Sequence, residues 1–402
     1  MSQFSREFKL KQHTPIIHFE YQTEGATIRG SELKPKLDKY LIHHFFKDNQ
    51  SEYKQFLMNS QEGEALDYKV HIIQQEVKPK SYEIEDRFPF VLGCTGKKNK
   101  GKYRFVYSTK PIILRVTSLY TKLLEIIENN IDGFFRVHNF GTRQSKGFGS
   151  FYRMNTEKNI EKELDETFPY SFILNCNLNL KANGINLAEL KKMFADIEIF
   201  YKTLRSGINN HKGDGSQFYF KSMLYQYTED KLKKRWDKPY IKQNLLKMNN
   251  HGYKVENEKD FLLVRDLLGL ASHTEWYKLK NNKDSKEKVI QASIDKEDSE
   301  KIIERYMSPI FFKIIQLEDG KMKVYIDFLE KERIGSILKN HFKFSINGND
   351  DEKFNLHTPD EFDIRDFFKY AIENMTLDEK YKHMREYKCI NHIYAQLKGE
   401  EA

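Results

Sequence analysis

Cysteine is nearly absent from this sequence: Cys94, Cys176 and Cys389 are scattered through 402 residues. An odd, dispersed set supplies neither a disulfide framework nor a zinc quartet, and it fits a reducing compartment. Long apolar runs are missing too. No stretch approaches the roughly 20 consecutive apolar residues that cross a bilayer. The opening MSQFSREFKLKQHTP carries no apolar segment of the signal-peptide kind. A cytoplasmic protein without membrane contact is expected. There is also no HExxH, EF-hand loop, serine elbow or nucleotide-cradling P-loop. The acidic residues are spread as solvent-facing charges rather than gathered into a motif, so the expectation is no metal and no cofactor.

What the chain does have is core material and a mild excess of positive charge. Hydrophobic residues make up 39% and aromatics 14%, with 30 Phe and 23 Tyr, which excludes a disordered chain. A length of 402 residues exceeds what one core usually organises, so two domains are expected. Lys and Arg total 67 against 59 Asp and Glu, a net charge of +8. That balance favours a polyanionic partner only weakly, and the distribution of the charge has to decide.

Periodicity lays out the first half. Phe8 to Phe19 reads as one strand with Thr14-Pro15 inside it, which suggests an edge position or a bulge because proline donates no ladder hydrogen bond. Ser31 to Phe46 reads as a helix with Ser31 as N-cap and Pro35 in its first turn. Asp67 to Val77 and Tyr103 to Val116 read as strands, Thr117 to Asn130 as a helix, and Phe134 to His138 as a short closing strand. This βαββαβ order predicts a ferredoxin-like, RRM-like domain over residues 1–160. A second round over 161–402 starts with a strand at Tyr170 to Leu180 and a helix at Leu187 to Leu204. Glu318-Asp319-Gly320 then joins two strands as a hairpin, since Asp-Gly accepts positive φ. A charged insertion at Lys278 to Ser299 interrupts this half, and a charged helical tail follows Pro359. The expected class is α+β: two ferredoxin-like domains with antiparallel sheets, helical insertions and a helical C-terminal tail.

Two glycine-bearing stretches carry the candidate chemistry. Gly141-Thr-Arg-Gln-Ser-Lys-Gly147-Phe-Gly149 places three glycines in nine residues. Glycine lets backbone N–H groups approach a phosphate, with Arg143 and Lys146 supplying charge and Gln144 and Ser145 further donors. Phe148 and Phe151 are candidates to stack on bases. A purely structural bend is the competing reading. In the second stretch, Gly25-Ala-Thr-Ile-Arg-Gly leads into the first helix with Arg29, Lys34 and Lys36 around its amino end, where helix amides favour anions. A solvated helix start is the alternative.

Two basic clusters add to these. Lys97, Lys98, Lys100, Lys102 and Arg104 form one. Lys231, Lys233, Lys234, Arg235, Lys238 and Lys242 form the other, interleaved with Trp236 and Tyr240. Cations between aromatic rings suit backbone neutralisation with base stacking. Solvated loops, and a core position for Trp236, are the alternatives.

Thr14-Pro15, Gly25-Ala26, Ile28-Arg29-Gly30-Ser31, Leu33-Lys34 and above all Gly141 through Gly149 resemble the RAMP superfamily of CRISPR-associated proteins, whose members carry a late glycine-rich loop of G-x-R-x-S-R/K-G-F-G type. The opening looks most like the first RAMP subunit of the type III-B, or Cmr, effector complex. Leu267-Leu268-Gly269-Leu270 and Ser308-Pro309-Ile310-Phe311-Phe312-Lys313 resemble elements of the second half of such subunits. The resemblance implies a non-catalytic RNA-binding subunit in antiviral defence, sitting near the crRNA 3′ end. Its implied partners are crRNA, single-stranded target RNA, other RAMP subunits and the large polymerase-like subunit. After Leu33-Lys34 the chain departs from the aromatic, Arg-rich helix of that subunit type, so the sixth Cmr subunit and the terminal Csm subunit stay open as identities.

Two other functions stay open beside RNA binding. A RAMP endoribonuclease that processes crRNA would use an early histidine among His13, His18, His43 and His44, yet no partner constellation accompanies them. A structural capping subunit would make protein contacts alone.

Overall fold

The computed structural model describes the chain except residues 1, 19–26, 48–49, 59–64, 77–78, 86–87, 92–103, 155–158, 179–183, 212–214, 238–239, 242–259, 271–273, 280–285, 294–305, 329–334, 347–348 and 401–402. The class is α+β, with several small sheets. The chain forms two compact units, residues 1–195 with 311–327 and residues 196–310 with 328–402.

In the first unit Ser5–Gln12 is strand β1, Gly30–Tyr40 helix α1, Lys69–Gln74 strand β2, Ile112–Thr117 strand β3, Thr121–Val137 helix α2 and Phe151–Arg153 strand β4. The four strands form one antiparallel sheet in the order β2-β3-β1-β4. Alternation along a strand sends every second side chain to one face. Phe8 and Leu10 of β1 therefore lie opposite Leu114 and Ile112 of β3, in one core with Leu33 and Leu37 of α1 and Leu123, Ile127, Ile131 and Phe134 of α2. Each enclosed side chain contributes about 1.5–3 kcal/mol relative to exposure.

Several boundaries differ from the sequence reading, each for a local reason. The first strand is neither an edge nor bulged at Thr14-Pro15 but ends there: β1 is paired on both sides, and Ile16–Ile17 leaves the sheet and pairs with Phe105 and Val106. Ser31 does not cap α1, because the helix begins at Gly30 with Arg29 in the N-cap position and no side-chain cap. Phe134 to His138 is no strand. Phe134 and Phe135 face the core from the last turns of α2, and Phe151–Arg153 closes the sheet instead. The helix expected from Thr117 starts at Thr121, so that Leu119 lies ahead of it and is exposed.

The expected hairpin at Glu318-Asp319-Gly320 is present, with Leu317 N–H bonded to Lys321 O at 2.9 Å and Gly320 at φ +87°. Its strands do not belong to a separate second domain, however. Tyr170–Leu174 is strand β5, Ile310–Gln316 strand β6 and Met322–Phe328 strand β7, in the order β6-β7-β5. Ile315 and Tyr325 enter the core of the first unit. The second unit has a four-stranded antiparallel sheet of Thr274–Leu279, Lys286–Ser293, His341–Ile346 and Asn349–His357. Its second strand and the end of its first fall within the segment read from sequence as a charged insertion. Helices Met223–Asp230, Ile364–Asn374 and Arg385–Lys398 complete the unit, with Tyr227 packed against Phe362, Phe367 and Tyr370. Among its described residues no second βαββαβ sheet is laid out.

Strand β6 brings Lys313 into the first unit, where it is fully buried. Its ammonium donates to His138 O at 3.0 Å, Phe151 O at 3.0 Å and Asn139 Oδ1 at 3.2 Å. Burial holds its pKa well below the ordinary lysine value, and three oxygen acceptors match the three protons of the charged form. Replacement of Lys313 by Met should leave these oxygens without a donor, at a cost of about 1–3 kcal/mol for each unsatisfied group. Chemical denaturation should show a lower midpoint for the variant, and an unchanged or raised midpoint would mean that relief of the buried charge outweighs the lost bonds.

Candidate functional site

The glycine-rich loop sits at one end of the four-stranded sheet, between α2 and β4, and its conformation follows from close approach. Gly141, Gly147 and Gly149 have φ of +79°, +89° and +66°, a region that side chains disfavour. A Cβ at Gly149 would collide with the carbonyl of Phe140, and one at Gly147 with Ile314 of β6. Between the glycines, Arg143 also adopts the left-handed conformation, at φ +61°, ahead of a single 3-10 turn over Gln144–Lys146.

The loop does bind an anion, and it is the chain's own. Gly141 N–H donates to both oxygens of Glu32, at 2.9 and 3.1 Å. Lys36, one turn along α1, donates to Glu32 Oε1 at 2.7 Å, Asn139 O at 3.0 Å and Gln144 Oε1 at 2.8 Å. Thr14 makes a second tie: its hydroxyl donates to Gly147 O at 2.6 Å and accepts from Ser150 N–H at 2.9 Å. Thr142 N–H reaches Ile17 O, Gly149 N–H reaches Pro15 O, and Asn139 Nδ2 donates to Gln144 O and Phe312 O.

These contacts correct the picture of a phosphate cradle. The amides of Gly141, Thr142, Lys146, Gly147, Gly149 and Ser150 are all engaged within the unit. Phe148 is fully buried, stacked on Phe194 at 3.9 Å and facing Phe105 at 5.9 Å, so neither face is open to a base. Phe151 is core as well. Ser145 and Lys146 are buried, the ammonium of Lys146 lying 5.8 Å from the Phe90 ring centre and 6.0 Å from that of Phe312. Lys34 is held by Asp38 at 2.7 Å and Leu66 O at 2.9 Å. Arg29 is half-buried, and Gln144 is bonded to Lys36. Arg143 is the exposed cation of the loop, in no ion pair among the described residues.

In the second unit Lys231, Lys233 and Arg235 are exposed and Lys234 is half-buried. Trp236 is only 5% exposed, with the Tyr225 ring 5.8 Å away, and Tyr240 packs on Phe261. Both aromatics are core residues, because an enclosed ring offers no face for stacking. Lys238 and Lys242, the cluster from Lys97 to Lys102, the Gly25-Ala26 turn and Cys94 lie outside the described residues.

Of the early histidines, His13 is buried, with Nδ1 accepting from Gln316 N–H at 2.9 Å, and His18 is bonded to Thr27 O at 2.7 Å. Desolvation, with Lys11 and Lys313 nearby, holds His13 well below the usual imidazole range. His43 and His44 are exposed. Glu32, Asn139 and His138, which shape the site, were not singled out from sequence. Only the i, i+4 spacing of Glu32 and Lys36 gave a readable signal. Among the described residues, no group of three or more His, Cys, Asp and Glu side chains could hold a metal ion, and no helix is long and apolar enough to cross a membrane.

Comparison with known families places the chain as follows. A model of the Cmr1 N-terminal domain matches residues 3–208, and one of the Cmr1 C-terminal domain matches residues 219–398. No curated protein matches by sequence. Among solved structures, the crystal structure of Cmr1 from Pyrococcus furiosus in its apo form is similar at 10% identity, with a TM-score of 0.38, over 82% of this chain and 88% of that one. An overlap of that size carries no argument beyond the family models.

Two outcomes follow from the geometry. Gly149→Ala should lower the melting temperature of the chain sharply, while Arg143→Ala, an exposed position, should leave it within about 0.5 kcal/mol of the original stability. Equal melting temperatures for the two variants would refute the packing role of Gly149. The second outcome concerns acid. Desolvation is the largest cause that pushes His138 down to about 4, from 6.5. The unfolded chain therefore takes up a proton that the fold refuses, and stability falls as pH drops from about 6.5 towards 4, by up to about 3 kcal/mol for this group. Melts between pH 7.5 and 4.5 should show a smaller loss for His138→Phe than for the unaltered chain, and parallel curves would remove His138 as a cause.

Proposed function

The chain belongs to the Cmr1 family, the RAMP-type subunits of the type III-B CRISPR (Cmr) effector complex, and from that premise we propose that it is a non-catalytic RNA-binding subunit. It contacts crRNA, captured target RNA or both, near the crRNA 3′ end, as part of cytoplasmic antiviral defence. Its protein partners are the other RAMP subunits and the large polymerase-like subunit.

The observation that carries this reading is Arg143: a cation held exposed in a left-handed backbone by a loop in which the amides of Gly141, Thr142, Lys146, Gly147, Gly149 and Ser150 are engaged internally. A fixed, unpaired guanidinium suits a phosphate oxygen, which it can meet with two N–H groups. The exposed run Lys231, Lys233 and Arg235 supplies further backbone contacts of the second unit. Contacts of this type hold the backbone and carry no sequence information, which fits a subunit of a complex in which base pairing reads the sequence. Burial removes His13 and His18 as general bases, since such a base must reach the proton it removes; the exposed His43 and His44 are tested by the cleavage measurement below.

Binding of single-stranded RNA to the purified chain, followed by fluorescence anisotropy across a salt series, tests the reading. For single strands the slope of log affinity against log salt is about 0.7 per neutralised phosphate. Arg143→Ala should flatten it by about 0.7, and Lys231→Ala, Lys233→Ala and Arg235→Ala together by roughly 2, equally for unrelated sequences. Unaltered slopes, or cleavage of the RNA by the isolated chain, would sink the proposal.

A further inference from the structure

The sequence pointed to Phe148 and Trp236 as stacking rings, and both are enclosed. A different set of rings reaches the surface of the first unit. Helix α1 ends in one wide turn over Leu41–Phe45, closed by Phe46 N–H on Leu41 O at 3.0 Å. Single turns of this i→i+5 kind are rare and concentrate at functional sites. The turn sets His44 against Tyr40, with ring centres 4.7 Å apart. Tyr40 meets His138 at 5.9 Å, and His138 lies against Phe134 at 4.6 Å. The rings form one continuous surface that rises from buried Phe134 through half-buried His138 and Tyr40 to exposed His44.

The hydrogen bonding of His138 defines what the surface can accept. Nδ1 lies 3.0 Å from Phe134 O. A carbonyl only accepts, so the proton is on Nδ1 and Nε2 is a bare acceptor. Among the described residues no partner takes Nε2. Burial, with the charged Lys36 and Lys313 and the titratable His44 facing this imidazole, keeps it neutral at pH 7. Arg136 stands beside Tyr40. The carboxylate of this neighbourhood, Glu32, is occupied by Lys36 and the Gly141 amide. The site thus combines an open aromatic face, a neutral acceptor and cationic surroundings. A carboxylate has no proton to donate to Nε2, and an ammonium donor would be repelled. A ribonucleotide offers complements to the first two, a base to stack and a hydroxyl to donate, and its negative charge suits the third.

Resting on the RNA-binding reading above, we propose that Tyr40, His44 and His138 form a ribonucleotide subsite that distinguishes RNA from DNA. A base stacks on the open face of His44, and the ribose 2′-hydroxyl donates to His138 Nε2. The 2′-hydroxyl is the group by which a protein tells the two nucleic acids apart.

Anisotropy with the full chain, using an oligouridylate and a deoxyoligouridylate of equal length at one salt concentration, tests this. His44→Ala should weaken both about ten-fold, the loss of one stacked base. His138→Phe keeps the ring and removes the acceptor. It should leave the deoxy affinity in place and lower the ribo affinity about five-fold. Modification of the unaltered chain by diethyl pyrocarbonate gives a measure independent of variant folding: the ribo-oligomer should protect His44 and His138, and the deoxy-oligomer His44 alone. If the unaltered chain binds RNA but His44 and His138 stay reactive at saturation, or if both variants keep its affinities, the subsite is overturned and the RNA-binding reading stands. Failure of the unaltered chain to bind either oligomer overturns both.

Discussion

The carboxylate of Glu32 is the contact around which the first unit is organised. It accepts the Gly141 amide and pairs with Lys36, and through Lys36 it reaches Gln144 and the carbonyl of Asn139. Asn139 passes the connection to Phe312 O and to Lys313, and Lys313 returns to Phe151. One network therefore joins α1, the glycine-rich loop, β4 and the strand that arrives from far along the chain. Networks of this sort are stable when every member is satisfied and costly when one is missing, because the low dielectric that strengthens each bond also penalises an orphan. The three positive-φ glycines are what let the loop come close enough for the network to close.

Burial sorts the cations of this unit into two kinds. Lys34, Lys36 and Lys313 act as internal donors whose partners are backbone oxygens, amide oxygens or neighbouring carboxylates. Arg143 is left at the surface. A count of positive charge near the loop overstates what a ligand would meet, since an ammonium with three bonds already made has none to offer. The same internal cations act on the histidines: Lys313 helps keep both His13 and His138 neutral. A neutral imidazole in such surroundings serves as an acceptor rather than as a further positive charge.

The pattern of apolar residues was enough to place strands within Phe8 to Phe19, Asp67 to Val77 and Tyr103 to Val116 and the hairpin turn at Gly320, because alternation and turn chemistry are local, but not to see that the last stretch holds two strands of different sheets, Arg104–Tyr107 and Ile112–Thr117. The assignment of that hairpin to a unit was not legible. Its pairing with Tyr170–Leu174 spans well over a hundred residues, and nothing within Pro309 to Phe328 states which sheet it joins. The glycine-rich loop was legible as an anion-binding turn, but the carboxylate that its Gly141 amide holds was not, since Gly-x-Arg spacing cannot tell a phosphate from a carboxylate supplied by α1. Phe148 and Trp236 failed as stacking candidates for a related reason. An aromatic between cations reads the same whether its ring is open or enclosed, and only packing separates the two.

Rigidity then explains how few exposed groups such a site needs. A loop with its backbone fixed by internal hydrogen bonds loses little freedom when it meets a ligand, so less of each contact is offset by ordering. The cost was met when the chain folded, in left-handed residues and buried polar groups that any alternative loop conformation would leave unsatisfied. Under the proposed RNA-binding reading this division would be sufficient: the backbone of the loop sets where Arg143 stands, and the ring of His44 at the end of α1 is exposed. Sequence preference would require donors and acceptors aimed at base edges, and the amides of Gly141, Thr142, Lys146, Gly147, Gly149 and Ser150 are directed inward, at their own chain.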